Sequence, residues 1–140
     1  PVRTTHRVVL VAPSTVQWIG PNGESFGMGN RVVHLGEAPR TITAVDTRRG
    51  GRTKVLVEPK TGRVEYTKLP RQTLEVHARP FAEVFLGKER LGITPLEPID
   101  VVAGSYEVRF VYKKITRVER IDVRANRPAA VNVVMAKTSP

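Results

Sequence analysis

Cysteine is absent from the 140 residues, so this chain has neither a disulfide framework nor a cysteine-held metal site. Aromatic residues are scarce at 6%, with one tryptophan, which leaves aliphatic and β-branched side chains to build most of a core. No apolar run approaches the ~20 residues that a membrane-crossing helix needs. Helical periodicity is missing too: no window carries apolar residues at three-and-four spacing over three turns. The 11 prolines also recur too often for long helices. Acidic side chains are in short supply, 13 against 23 Lys and Arg, for a net charge of +10. No signal peptide is visible and the chain opens at Pro1, as expected of a piece cut from a longer polypeptide.

What is present fits a folded protein. Hydrophobic residues make up 40% and charged residues 26%, close to the globular norm. The length suits one ordinary domain or two of about 70 residues each. Up to and including Arg71 there are 12 basic and 5 acidic residues, and 11 and 8 beyond it. The basic excess is therefore spread over both parts and is larger in the first. Such charge suits polyanions (nucleic acid, anionic lipid, acidic glycan), or simply a solvated surface.

Short alternating runs predict strands throughout. They cover Val8–Ala12, Val16–Ile19, Arg31–Leu35, Thr41–Asp46, Thr53–Glu58 and Arg63–Leu69, then Leu74–Ala78, Ala82–Leu86 and Tyr106–Lys113, with a last strand at Val131–Met135. Between Gly20 and Asn30 a glycine-rich loop is expected, and Arg49-Gly50-Gly51-Arg52 reads as a hairpin tip. Val118 and Ile121 are three apart, which predicts a bulge near Glu119–Arg120.

The strand-and-turn order recurs at an offset of roughly 67 residues. Pro13 before Val16-Gln17-Trp18 matches Pro80 before Ala82-Glu83-Val84-Phe85, and Leu35-Gly36 matches Ala103-Gly104. Each copy is expected to finish in a hairpin, Thr53–Leu69 and Ile115–Met135. The reading is two tandem all-β units, 1–71 and 72–140, each a small sandwich.

Residues Gln72 to Ala136 resemble a PEGA domain, most closely the form appended to some bacterial Ser/Thr protein kinases. The resemblance rests on Ala78-Arg79-Pro80-Phe81-Ala82-Glu83-Val84-Phe85, Gly87-Lys88, Leu91-Gly92-Ile93-Thr94-Pro95-Leu96 and Val102-Ala103-Gly104-Ser105-Tyr106. Leu86 stands where the family has Asp, and Lys113-Lys114-Ile115 replaces its Gly-Tyr pair. The resemblance implies an immunoglobulin-like sandwich outside the cytoplasmic membrane, in the periplasm or at the cell surface, serving adhesion or glycan contact without catalysis. The motif residues have structural parts to play. Gly87 suits a tight turn, Pro95 keeps Thr94 extended, and Gly104 admits a sharp bend into the next strand. Pro80, Ala82 and Gly92 complete the set.

Candidate chemistry is thin. His6, His34 and His77 lie far apart without metal spacing. Glu97 and Asp100 flank Pro98 in what reads as a solvated turn, and Ser14, Thr15 and Ser105 have no neighbouring base. No helix follows Gly20–Asn30 to aim at a phosphate. No catalytic, cofactor or metal residues are assigned, and no cofactor is expected. Partner contacts are expected from Trp18, Phe26 and Met28, which otherwise fold back on the core. Further contacts are expected from the cationic tip of Arg48, Arg49, Arg52 and Lys54, with a second positive patch at Lys113, Lys114, Arg117 and Arg120. The expected role is a non-catalytic binding or spacer module for an anionic glycan, or else a protein–protein scaffold, with no membrane insertion in this segment. A cytoplasmic scaffold is the alternative location. Single-stranded nucleic acid is disfavoured, because Tyr106, Phe110 and Tyr112 read as core rather than as a stacking face.

Overall fold

A computed structural model describes residues 5–135; Ala136, where the PEGA resemblance ends, lies outside them. The described chain is all-β, with fourteen strands and two single-turn 3₁₀ helices. It divides into two compact units, one comprising Pro1–Thr47 with Arg52–Leu69 and the other Pro70–Pro140 with Arg48–Gly51.

The first unit holds β1 (His6–Val11), β2 (Val16–Ile19), β3 (Ser25–Met28), β4 (Arg31–Leu35), β5 (Arg40–Asp46), β6 (Arg52–Val57) and β7 (Arg63–Glu65). β1 pairs antiparallel with β4 and parallel with β7. β2 lies between β3 and β5, and β5 continues to β6. Alternation drives these strands: in β6 Thr53, Val55 and Val57 are buried while Arg52, Lys54 and Leu56 face out, the period-two pattern of a half-buried strand. Val8, Leu10, Val16, Trp18, Ile42, Ala44, Val55, Val57 and Tyr66 are buried, each large side chain contributing about 1.5–3 kcal/mol by leaving water.

The second unit holds β8 (Arg71–Arg79), β9 (Glu83–Leu86), β10 (Glu89–Ile93), β11 (Ile99–Val102), β12 (Gly104–Tyr112), β13 (Ile115–Val123) and β14 (Ala129–Val134). β8 pairs antiparallel with β11 and parallel with β14. β9 lies between β10 and β12, and β12 continues to β13. Leu74, Val76, Val101, Val131 and Val133 from one sheet close on Val84, Leu86, Tyr106, Val108 and Phe110 from the other. Strand for strand, this pairing scheme is that of the first unit. In both, the first strand lies beside the fourth and seventh. In an immunoglobulin sandwich it lies beside the second, so the strand partition differs from the one the resemblance implies.

Several local expectations are corrected. Neither Thr53–Leu69 nor Ile115–Met135 is a hairpin, because β7 and β14 cross to the opposite sheet and pair parallel with β1 and β8. Alternation marks a strand but carries no record of its partner. Only Arg63–Glu65 of the expected Arg63–Leu69 strand is extended; the chain then makes a 3₁₀ turn at Tyr66–Lys68 that buries Tyr66. The glycine-rich segment contains β3, paired with β2. The expected bulge at Glu119–Arg120 is absent, since β12 and β13 pair in unbroken register from Gly104↔Val123 to Tyr112↔Ile115. Irregular register falls instead at Arg90/Gly92 and at Trp18/Ile19.

Candidate binding surfaces

The expected cationic tip separates into braces and free cations. Lys88 N–H donates to the Arg48 carbonyl at 2.9 Å. Arg49 Nε reaches Glu89 Oε2 at 2.9 Å and Arg49 Nη1 donates to the Asp100 carbonyl at 3.0 Å, with the side chain only 28% exposed. Arg49 is therefore an internal brace of the second unit and is withdrawn as a contact. Arg48 stays exposed but approaches the same carboxylate at 3.5 Å.

Arg52 and Lys54 are different. Both face outward on β6, and among the described residues neither has an acidic partner. Cross-strand pairing sets Met28, Gln17, Val45 and Arg52 in one row, and Ile19, Thr43 and Lys54 in the next. Directly opposite residues on antiparallel strands point to the same face. The outward face of this sheet thus carries two cations, a threonine, an amide and apolar Met28, which is 38% exposed.

Trp18 takes no part in that face. It is fully buried, and its Nε1–H donates to the Gly29 carbonyl at 2.8 Å. Its phase on β2, with Val16, points it into the core, which removes it from the contact set. Phe26 is half-buried.

In the second unit Arg117 is already engaged, donating to the Val134 carbonyl at 3.2 Å and meeting Glu119 at 3.4 Å. Arg120 pairs with Glu107 at 3.0 Å. Both arginines stay exposed but share their charge with a neighbouring carboxylate, whereas Lys113 and Lys114 form the two-residue turn between β12 and β13. Lys113 has φ +53°, a left-handed conformation that costs a non-glycine residue about 1–2 kcal/mol. Its ammonium lies 5.3 Å from the centre of the Tyr112 ring.

The motif residues are scaffold. Ala82 N–H donates to Thr94 Oγ1 at 3.0 Å, and Thr94 N–H returns a bond to the Ala82 carbonyl at 2.9 Å. Both residues are buried. Pro80 and Pro95 follow cis peptide bonds at Arg79 and Thr94 and are exposed. Gly87 and Gly92 have φ of +59° and +126°, and Gly104 opens β12 opposite Val123. Phe81 went unremarked as a surface residue. It is 48% exposed and stands edge-on to Tyr112, with ring centres 5.0 Å apart at 87°. It lies just before β9, outside the strand, where alternation gives no direction.

Open clefts lie on the surface of each unit. One, of about 430 Å³, is bounded by Val55, Val57, Val64 and Leu69 with Arg63 and Lys68. The other, about 340 Å³, is polar and carries Arg124 and Arg127. Glu65, beside the first, meets Lys68 Nζ and Arg63 Nη2, each at 2.8 Å. Lys68, then Arg63, hold its carboxyl below the ordinary glutamate range. His6, His34 and His77 sit on separate strands. Among the described residues no three His, Asp or Glu side chains come together as a metal site, and no helix is long and apolar enough to cross a membrane. Tyr106 and Phe110 are buried and Tyr112 is partly so.

No family model matches the chain, and neither a curated protein nor a solved structure matches it.

Proposed function

We propose that this chain is a non-catalytic binding and spacing module that holds an anionic glycan at the bacterial surface or in the periplasm. In this reading its two units are copies of one small sandwich of PEGA type, immunoglobulin-like in having seven strands in two layers. The shared strand pairing supports duplication. The motif residues Pro80, Ala82, Gly87, Gly92, Thr94, Pro95 and Gly104 shape backbone and hold an internal hydrogen bond, which suits a scaffold.

The observation that carries the reading is the pair Arg52 and Lys54, exposed on one outward sheet face with no acidic partner among the described residues. Several other arginines of the chain are held by carboxylates, so composition alone overstates the charge on offer. A sheet face with spaced cations suits a polymer carrying repeated negative groups, and such contacts weaken as salt screens them. Retention on purified acidic cell-wall polymer is expected to fall with rising salt and to drop several-fold in the Arg52→Ala/Lys54→Ala variant. Retention unchanged in that variant would remove this face from the account.

The first unit's apolar cleft favours a second reading, a protein partner whose side chains insert between β6 and β7. A titration in which Leu69→Asp, but not the Arg52/Lys54 variant, abolishes capture of a defined partner would select it.

A further inference from the structure

Phe81 poses a physical problem. A phenylalanine gains by leaving water, yet this one is 48% exposed. Two neighbours constrain it. Ala82, next in the chain, is buried and locked to Thr94 by the reciprocal hydrogen bonds at 3.0 and 2.9 Å. Phe81 itself stands just before β9 and outside it. Tyr112, partly packed on the core, then meets the Phe81 ring at 87°, the edge-to-face arrangement that aromatic quadrupoles favour.

The turn beside this pair is equally specific. Lys113 holds a backbone conformation that glycine would adopt without cost, at φ +53°. Its ammonium stands over the Tyr112 ring at 5.3 Å, within the range of cation–π attraction. Lys114 follows it in the exposed turn. Among the described residues neither lysine has a carboxylate partner. The result is an exposed aromatic ring braced by Tyr112, with the Lys113 ammonium over that same Tyr112 ring and Lys114 next in the exposed turn. Preorganisation of this kind lowers the ordering cost of binding.

We propose that Phe81, Tyr112, Lys113 and Lys114 form a stacking site for one acidic sugar unit. The apolar face of the sugar ring lies on Phe81 and its carboxylate meets the lysine turn; Tyr112 sets the ring and the ammonium in place. The site rests on the reading of the chain as a binder of anionic glycan and adds to it a subsite that needs both a ring and a charge.

Three probes separate these requirements: polygalacturonate (ring and charge), inorganic polyphosphate (charge without a ring) and dextran (ring without charge). Wild type should bind polygalacturonate in preference to polyphosphate at equal charge concentration, and dextran weakly or not at all. Phe81→Ala should weaken polygalacturonate about tenfold, equivalent to ~1.4 kcal/mol, and leave polyphosphate unchanged. Lys113→Gly should weaken polygalacturonate while raising the unfolding midpoint, opposite signs that a merely structural lysine would not give. Phe81→Ala binding polygalacturonate like wild type, or weakening both polyanions alike, overturns the stacking site. With either result, weakened polyanion binding by Arg52→Ala/Lys54→Ala leaves the broader reading standing. Wild type binding neither polyanion overturns the broader reading and the subsite with it.

Discussion

Gly50 and Gly87 meet backbone to backbone: a Cβ built on Gly50 would stand 3.3 Å from the Cα of Gly87. The constraint on Gly87 is tighter. A Cβ there would lie 2.6 Å from the Arg49 carbonyl oxygen and 2.7 Å from the Gly50 nitrogen, at φ +59°. Main-chain atoms cannot swing aside as a side-chain tip can.

Gly87→Ala should therefore carry two penalties. The left-handed backbone costs about 1–2 kcal/mol, and overpacking against fixed backbone adds about 1–3 kcal/mol. Gly23 supplies the control, because its φ is +83° but nothing lies within 4 Å of a built Cβ. Gly23→Ala should show the conformational penalty alone. Urea midpoints of the two variants measure the difference, and equal losses would mean the Arg48–Gly51 segment is not held against Gly87.

Thr94 is named by the sequence motif for its place before Pro95, yet its hydroxyl does separate work by accepting from Ala82 N–H at 3.0 Å. Thr94→Val keeps the shape and removes the acceptor. The buried Ala82 amide is then left without a partner, a cost of about 1–3 kcal/mol. Thr94→Ser restores the oxygen and should lose only about the ~0.8 kcal/mol of a buried methyl. Valine as stable as serine would rule out the hydrogen bond as the reason for threonine.

The strands were legible wherever one face is buried and the other wet, as in β6 and β12. Legibility failed where that contrast fails. β13 is largely exposed along its length, so Val118 and Ile121 simply occupy opposite faces; their spacing imitates a bulge. At Gly92 a real irregularity lies inside a short strand that offered no periodic signal. β3 was hidden because Gly27, at φ +100°, reads as loop although it pairs with Trp18. The candidate site suffered from a different blindness. A cluster such as Arg48-Arg49-Gly50-Gly51-Arg52 reports charge density, but not which guanidinium is already spoken for by Glu89, a residue 40 positions away from Arg49.

Glu65 gives a prediction with a definite sign. Its carboxyl is held below the ordinary glutamate range by Lys68 first and Arg63 second, so the folded state favours the ionised form more than the unfolded chain does. The stabilisation is complete above the unfolded-state value and is lost as pH falls through the lowered folded value. Wild type should therefore exceed Glu65→Gln in stability near neutrality, and the gap should close on acidification below the glutamate range. The gap should be modest and shrink with salt, because Arg63 and Lys68 are well exposed. A carboxyl chemical-shift titration reads the group directly. Lys68→Ala should move the Glu65 midpoint upward more than Arg63→Ala does, following the order of the two causes. A midpoint that stays put in the Lys68 variant would mean that Lys68 does not hold the carboxylate in solution, leaving Arg63 as its partner.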